Sequence, residues 1–232
     1  MMCRKKYMKQ MMLTLCLSLA LPLGQMSAAN NNEPAELNAD TVEYDASTGL
    51  VTATGDVLFK QGTAKLTGAK ATYNAKTQEG SVEGNVIAVR DDLRITCARV
   101  MTDGQGRMSA TGNVQGTQAD RSFTGEQVDY YPNQNKYIKI PLGGTITNKD
   151  GTFKADYMEG WLDDEHYIGR GNVYVNSPVR KMEAGGDNAD YQGKQKGQVV
   201  LTGNAWAIKE NNRMRSNKLT LYLAEDGAAQ AR

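Results

Sequence analysis

From residue 50 onward, hydrophobic and polar side chains alternate with a period of two, interrupted by short clusters of Gly, Asn, Asp and Pro. In "LVTATGDVLFKQ", Ala53, Gly55, Val57 and Phe59 fall on one face and Thr52, Thr54 and Asp56 on the other. This is the pattern of a strand with one face buried. The same face recurs as Val82, Gly84, Val86 and Ala88, and again as Leu201, Gly203, Ala205 and Ala207. Outside the N-terminal apolar run no stretch keeps a helical period, so the pattern predicts an all-β chain.

The strands repeat in letters as well as in pattern. "TATGDV", "SVEGNV", "SATGNV", "IGRGNV" and "VLTGNA", with a degenerate "PLGGTI", place Gly55, Gly84, Gly112, Gly144, Gly171 and Gly203 at intervals of 29, 28, 32, 27 and 32 residues. A period of this size marks stacked supersecondary units. Two positions after each glycine stands Val57, Val86, Val114, Ile146, Val173 or Ala205. Eleven positions after it stands Leu66, Ile95, Phe123, Met182 or Met214, with Phe153 at nine in the degenerate copy.

Each copy therefore holds two strands. In the second the alternation slips by one, giving Leu66 then Ala69, Ala71 and Tyr73, and Ile95 then Ala98, Val100 and Thr102. A recurrent slip predicts a β-bulge near Gly68 and Gly125. Leu37, Asp40, Val42 and Tyr44 reproduce the second strand alone. Breaks such as Asn74-Ala75-Lys76 and Pro132-Asn133-Gln134-Asn135 supply the turns. The expectation is a dozen or more consecutive antiparallel strands, building an elongated, open or partly closed structure with a thin apolar interior.

The N-terminus follows another logic. Arg4, Lys5, Lys6 and Lys9 precede an apolar run of 13 residues, Met11 to Leu23, and then the small residues Ser27-Ala28-Ala29. That is the layout of a secretory signal over residues 1–29, and the run is too short to favour a membrane span. Residues 30–36 are then a flexible mature N-terminus, 37–223 the β-domain and 224–232 a C-terminal tail. Without its four N-terminal cations the chain passes from a net charge of +1 to −3, with 23 basic against 26 acidic residues, a balance that gives nucleic acid nothing to hold. Only Cys97 remains beyond the signal, so no internal disulfide forms. Its column in the repeat makes it a buried or half-buried thiol rather than a nucleophile.

Catalytic chemistry finds little footing. His166, the single histidine, sits in Asp163-Asp164-Glu165-His166, which reads as a solvated turn. One His and three adjacent acids cannot all face one ion without an irregular loop. No cofactor or metal is implied.

Several stretches carry a resemblance. "LTGAKATY" (Leu66 to Tyr73), "LNADTVEYD" (Leu37 to Asp45), "LTGNAW" and "RSNKLTLYL" (Arg215 to Leu223) are similar to the OstA-like, or LptA, family of periplasmic lipopolysaccharide-transport proteins. The resemblance covers about Glu36 to Leu223, and the copy from Gly143 to Gly160 departs from it. It implies a β-jellyroll, also described as a taco, whose groove takes lipid acyl chains. It also implies a periplasmic location, lipopolysaccharide or a related glycolipid as ligand, and fold-related envelope transport proteins, or further copies of the chain head to tail, as partners.

On that reading Val57, Phe59, Leu66, Val86, Ile95, Val114, Phe123, Ile146, Val173 and Met182 line the groove. The same side chains would also serve as the solid core of a structural or adhesion solenoid, or of a polysaccharide-acting β-helix enzyme. The many alanines of the repeat favour a groove, because a close-packed core leaves no such space. An open stack of strands ends in unpaired backbone edges, which attract other strands. Here those edges are Leu37, Val42 and Tyr44 at one end and Leu219 and Leu221 at the other.

Overall fold

The alternating runs become strands, and the Gly, Asn and Asp clusters become the turns between them. The structure, a computed structural model, describes residues 35–149, 151–192, 197–223 and 229–231. The expected signal segment lies outside the described residues. The first strands are β1 (Ala35–Asn38), β2 (Thr41–Asp45), β3 (Leu50–Gln61), β4 (Ala64–Asn74), β5 (Glu79–Arg90), β6 (Leu93–Asp103), β7 (Met108–Gln118) and β8 (Arg121–Tyr131). Four short ones follow: β9 (Tyr137–Ile140), β10 (Gly144–Asn148), β11 (Gly151–Ala155) and β12 (Tyr157–Trp161). The last are β13 (His166–Ser177), β14 (Met182–Gln192), β15 (Gln198–Lys209), β16 (Asn212–Leu223) and β17 (Ala229–Ala231).

All pairings are antiparallel, and the long strands follow chain order with the short ones interposed, giving one continuous β-jellyroll sheet. The short strands are halves of long ones. β9 and β10 both lie along β8, with Ile138 opposite Tyr130 and Ile146 opposite Phe123. β11 and β12 both lie along β13, with Phe153 opposite Val175 and Gly160 opposite Tyr167. β1 and β2 likewise share β3. The break between β9 and β10 falls at Pro141, which has no N–H to give to a ladder, and at Gly143, whose φ is +80°. The corner of the degenerate copy is thus Gly143 rather than Gly144. Ala229–Ala231, in the expected tail, adds a short strand to β16, with Ala231 opposite Leu221.

The repeated dipeptide is the bend. Gly55, Gly84, Gly112, Gly171 and Gly203 have φ between +71° and +86°, and the Asp or Asn after each has φ between +41° and +50°. Two consecutive left-handed residues need Gly first and an Asx second, the residue types that reach that region at least cost. The ladder counts the same two residues as extra: Thr54 pairs with Lys70 and Val57 with Gly68, leaving Gly55 and Asp56 opposite Ala69 alone. The bulge therefore lies on the first strand of each copy, not the second. In consequence Ala69 and Ala98, expected inward, face out and are exposed, while Cys97 points inward and is 6% exposed.

Bending each strand at its middle brings its two halves face to face. Leu37 packs both against the cluster holding Phe59 and Leu66 and against Val51 and Tyr73 on the other half. The core is a thin strip of Val, Leu, Ile, Met, Ala and Phe running through all the long strands.

Candidate functional site

The ladder converts the repeat into rows of side chains running the length of the molecule. One interior row reads Leu37, Phe59, Leu66, Ala88, Ile95, Gly116, Phe123, each opposite the next. It continues as Ile146, Phe153, Val175, Ala184, Ala207 and Met214. Large and small residues complement one another along it, because a ring needs a gap to lie in. A second row beside the bend sets Val57 against Gly68, Val86 against Cys97, Val114 against Gly125 and Val173 against Gly186. The first row carries neither charge nor hydroxyl, and the second meets one only at its end, where Ala205 stands opposite Ser216.

The residues expected to line the groove all reach this interior. Val57, Phe59, Leu66, Val86, Val114, Val173 and Met182 are buried, and Ile95, Phe123 and Ile146 are partly buried against the core. Two take other places than the repeat assigned. Ile146 belongs to the row of Phe123 and Phe153 rather than to the valine row, whose place in the degenerate copy is held by Gly144 and Ala155. Met182 stands opposite Ser177 and Lys209, one inward step nearer the strand ends than Leu66, and Ala184 fills the equivalent position. In both cases the local irregularity changes the count from the glycine. A partly open cavity of about 40 Å³ lies between Phe59 and Leu66 on one side and Val51, Tyr73 and Val100 on the other.

The two ends of the molecule differ. Val42 and Tyr44 on β2 continue the inward register opposite Ala53 and Val51, yet they are 49% and 47% exposed because no further strand covers them. At the other end Leu219 and Leu221 are 8% and 1% exposed, and β17 pairs along Leu221 to Leu223.

The strand ends form two lips that the repeat analysis missed. Along one lip the inward residues are Gln61, Ala64, Arg90, Leu93, Gln118 and Arg121, and further along Ser177, Met182 and Lys209. Along the other they include Tyr44, Tyr73, Tyr130, Tyr167 and Tyr191. The signal was available: each is the last inward position of its strand. Burial pushes the Tyr130 and Tyr167 phenols up, and the charges of Arg90 and Arg121 respectively pull them back. Asp163 and Glu165, on the turn before β13, act on the same phenols in the opposite sense to the arginines.

The outer face carries an unexpected polar cluster. Glu159 accepts hydrogen bonds from the hydroxyls of Tyr137 (2.6 Å) and Tyr157 (2.8 Å) and from Arg170 (2.9 Å). Desolvation alone would raise its carboxyl, but these bonds and the charges of Arg170 and Lys139 outweigh it and hold the pKa below the usual value. Tyr137 is pushed up by burial and by its carboxylate partner. His166 opens β13 rather than standing in a solvated turn. It stacks on Trp161 and pairs with Asp190 at 2.9 Å. Cys97 is buried, and burial raises its thiol. Among the described residues no group of His, Cys, Asp and Glu is arranged to hold a metal ion.

A jellyroll of bent strands in chain order, with an apolar interior running end to end and one end uncovered, defines a class of elongated β-proteins. The sequence profile described as LptA/(LptD N-terminal domain) LPS transport protein matches residues 36–81 and 100–226. The chain belongs to that family, which makes it a transport protein and not an enzyme. The unmatched stretch between the two segments continues the same ladder through β5 and β6. Among solved structures, the chain is similar to LptH, described as the LptA homologous periplasmic component of the lipopolysaccharide transport device from Pseudomonas aeruginosa. The identity is 22% and the TM-score 0.41, over 46% of this chain and 80% of that one. No curated protein matches.

Proposed function

We propose that this protein is a periplasmic bridge that shields the acyl chains of lipopolysaccharide, or a related glycolipid, on the way from the inner to the outer membrane. Its carrying observation is the uncharged interior row from Leu37 to Met214, which passes through the core, while Val42 and Tyr44 on the other half of the first strands stay exposed. An acyl chain of about a dozen carbons, at roughly 0.8 kcal/mol per methylene, loses on the order of 10 kcal/mol in water. A carrier has to offer a dry path without interruption. The cavity lined by Leu37, Val51, Phe59, Leu66, Tyr73 and Val100 is a dry place in which an acyl chain would begin to lie. The unpaired edge of β1 and β2, and the part of β16 not covered by β17, supply backbone donors and acceptors for fold-related envelope proteins or for further copies head to tail.

The test is photo-crosslinking in native membranes. A crosslinker at Val86 or Val114 is expected to trap glycolipid, while one at Thr54 or Asn85, both exposed on the outer side, is not. Equal labelling of the two sets would overturn the carrier reading.

A further inference from the structure

The two edges of the sheet carry opposite charge. From Ala35 to Asp45, which make up β1, β2 and the residues joining them, stand Glu36, Asp40, Glu43 and Asp45 and no Lys or Arg. β16 carries Arg213, Arg215 and Lys218 and no Asp or Glu. Its nearest acids in the chain are Glu210, in the turn before it, and Glu225 and Asp226, which lie outside the described residues. Glu36, Asp40, Glu43, Arg213, Arg215 and Lys218 are all exposed. Among the described residues only Glu36 of these six has an ion-pair partner, Lys60 at 3.8 Å. Asp45 turns instead onto its own hairpin, accepting hydrogen bonds from Ser47 and Thr48.

The ladder fixes which positions would meet if one copy followed another. Leu37 and Met214 end one interior row, and Tyr44 and Leu221 end the tyrosine row. The two residues are seven apart on each edge, so one register continues both rows into a second copy, the two edge strands running in the same direction. That register sets Arg213 beside Glu36, and puts Arg215 one diagonal step from Glu36 and Lys218 one from Glu43, within reach of long side chains. The stretch concerned, Arg213 to Thr220, is also the part of β16 that β17 leaves unpaired. Charge on an edge can serve merely to keep strands apart, but that purpose needs no difference of sign between the two ends. Two β16 edges brought together would set cations against cations, and two β1–β2 edges acids against acids. We infer that each edge is built to take the opposite edge of a second copy of this chain, Glu36, Asp40 and Glu43 against Arg213, Arg215 and Lys218. Copies then add in one direction, and no closed dimer of like edges forms. The inference rests on the edge pairing proposed above and names its occupant and polarity.

Sedimentation velocity of the folded full chain over a concentration series reads the association. Raising salt from about 0.01 M to about 1 M cuts the reach of exposed charges from about 30 Å to about 3 Å. Self-association is expected to weaken by about tenfold, the size of a few exposed ion pairs. Glu36→Lys with Glu43→Lys reverses the net charge of the first edge, and Arg213→Glu with Arg215→Glu that of the second. Neither variant should self-associate at low salt, whereas an equal mixture of the two should, because each supplies the edge that the other has lost. Arg94→Glu with Lys154→Glu, at exposed positions away from both edges, should leave association close to that of the unaltered chain. Association that strengthens with salt would make the charges a barrier between copies and overturn the inference. So would self-association of either edge variant like that of the unaltered chain, a mixture that stays monomeric, or an unaltered chain that is monomeric at every concentration in low salt. The carrier reading stands or falls separately, on the crosslinks at Val86 and Val114.

Discussion

The ring of Phe123 occupies the space that a side chain at Gly116 would need. A Cβ built on Gly116 meets three ring atoms at 2.0 to 2.6 Å, and the two residues are direct partners in the interior row. Gly116→Ala is therefore expected to destabilise the protein by about 1–3 kcal/mol through overpacking. Pairing it with Phe123→Leu should recover much of that loss. Urea unfolding of the two single variants and the double variant gives the coupling, and strictly additive effects would show that the ring does not rest on the glycine.

Glu159 gives the outer face an acid-sensitive tie. Its folded pKa lies below the ordinary glutamate value, so the stabilisation is complete above that ordinary value and is lost as pH falls through the folded one. Glu159→Gln should lower stability near neutral pH by about 1–3 kcal/mol, because it replaces a charged acceptor for Tyr137, Tyr157 and Arg170. It should also flatten the acid limb of the stability curve. Thermal melts of the two proteins between neutral pH and pH 3 are expected to converge; a constant gap would exclude the carboxylate as the titrating group.

The exposed and buried ends predict opposite phenotypes. Leu221→Ala, at a position 1% exposed, should cost about 2–5 kcal/mol. Val42→Asp, at 49% exposure, should change stability by only about 0.5 kcal/mol but weaken edge-to-edge association. Sedimentation velocity over a concentration series reads the second effect and chemical denaturation the first. Association unchanged by Val42→Asp would remove the N-terminal edge from the joint.

Strand content, chain-order topology and the membership of the interior were legible because a period of two, repeated at a fixed spacing, registers burial directly. Errors arose where spacing ceased to measure position. The Gly-Asx bend adds its extra residue to the first strand, so the slip read on the second strand put Ala69 and Ala98 inward, whereas both face out. Ile146 leaves its expected row because the corner moves to Gly143, and Met182 because residues 178–181 form the turn after Ser177, whereas Gly62 and Thr63 alone join Gln61 to Ala64. The pairing of His166 with Asp190 across 24 residues leaves no local sequence mark. The Arg and Tyr lips, by contrast, were present in the alternation and went unread because apolar positions alone were followed.

The meander has a consequence for size. Among the described residues each long strand is hydrogen-bonded to its neighbours along the chain or to the short strands between them, and no pairing ties one end of the sheet to the other. Adding or deleting one hairpin would lengthen or shorten the molecule by two strand spacings, about 9–10 Å, without inverting either face, since the flanking strands keep their direction. Stability in such an array is close to a sum over adjacent units. The molecule is thus a ruler graduated in hairpins, whose reach can be reset one graduation at a time while every remaining joint stays as it was.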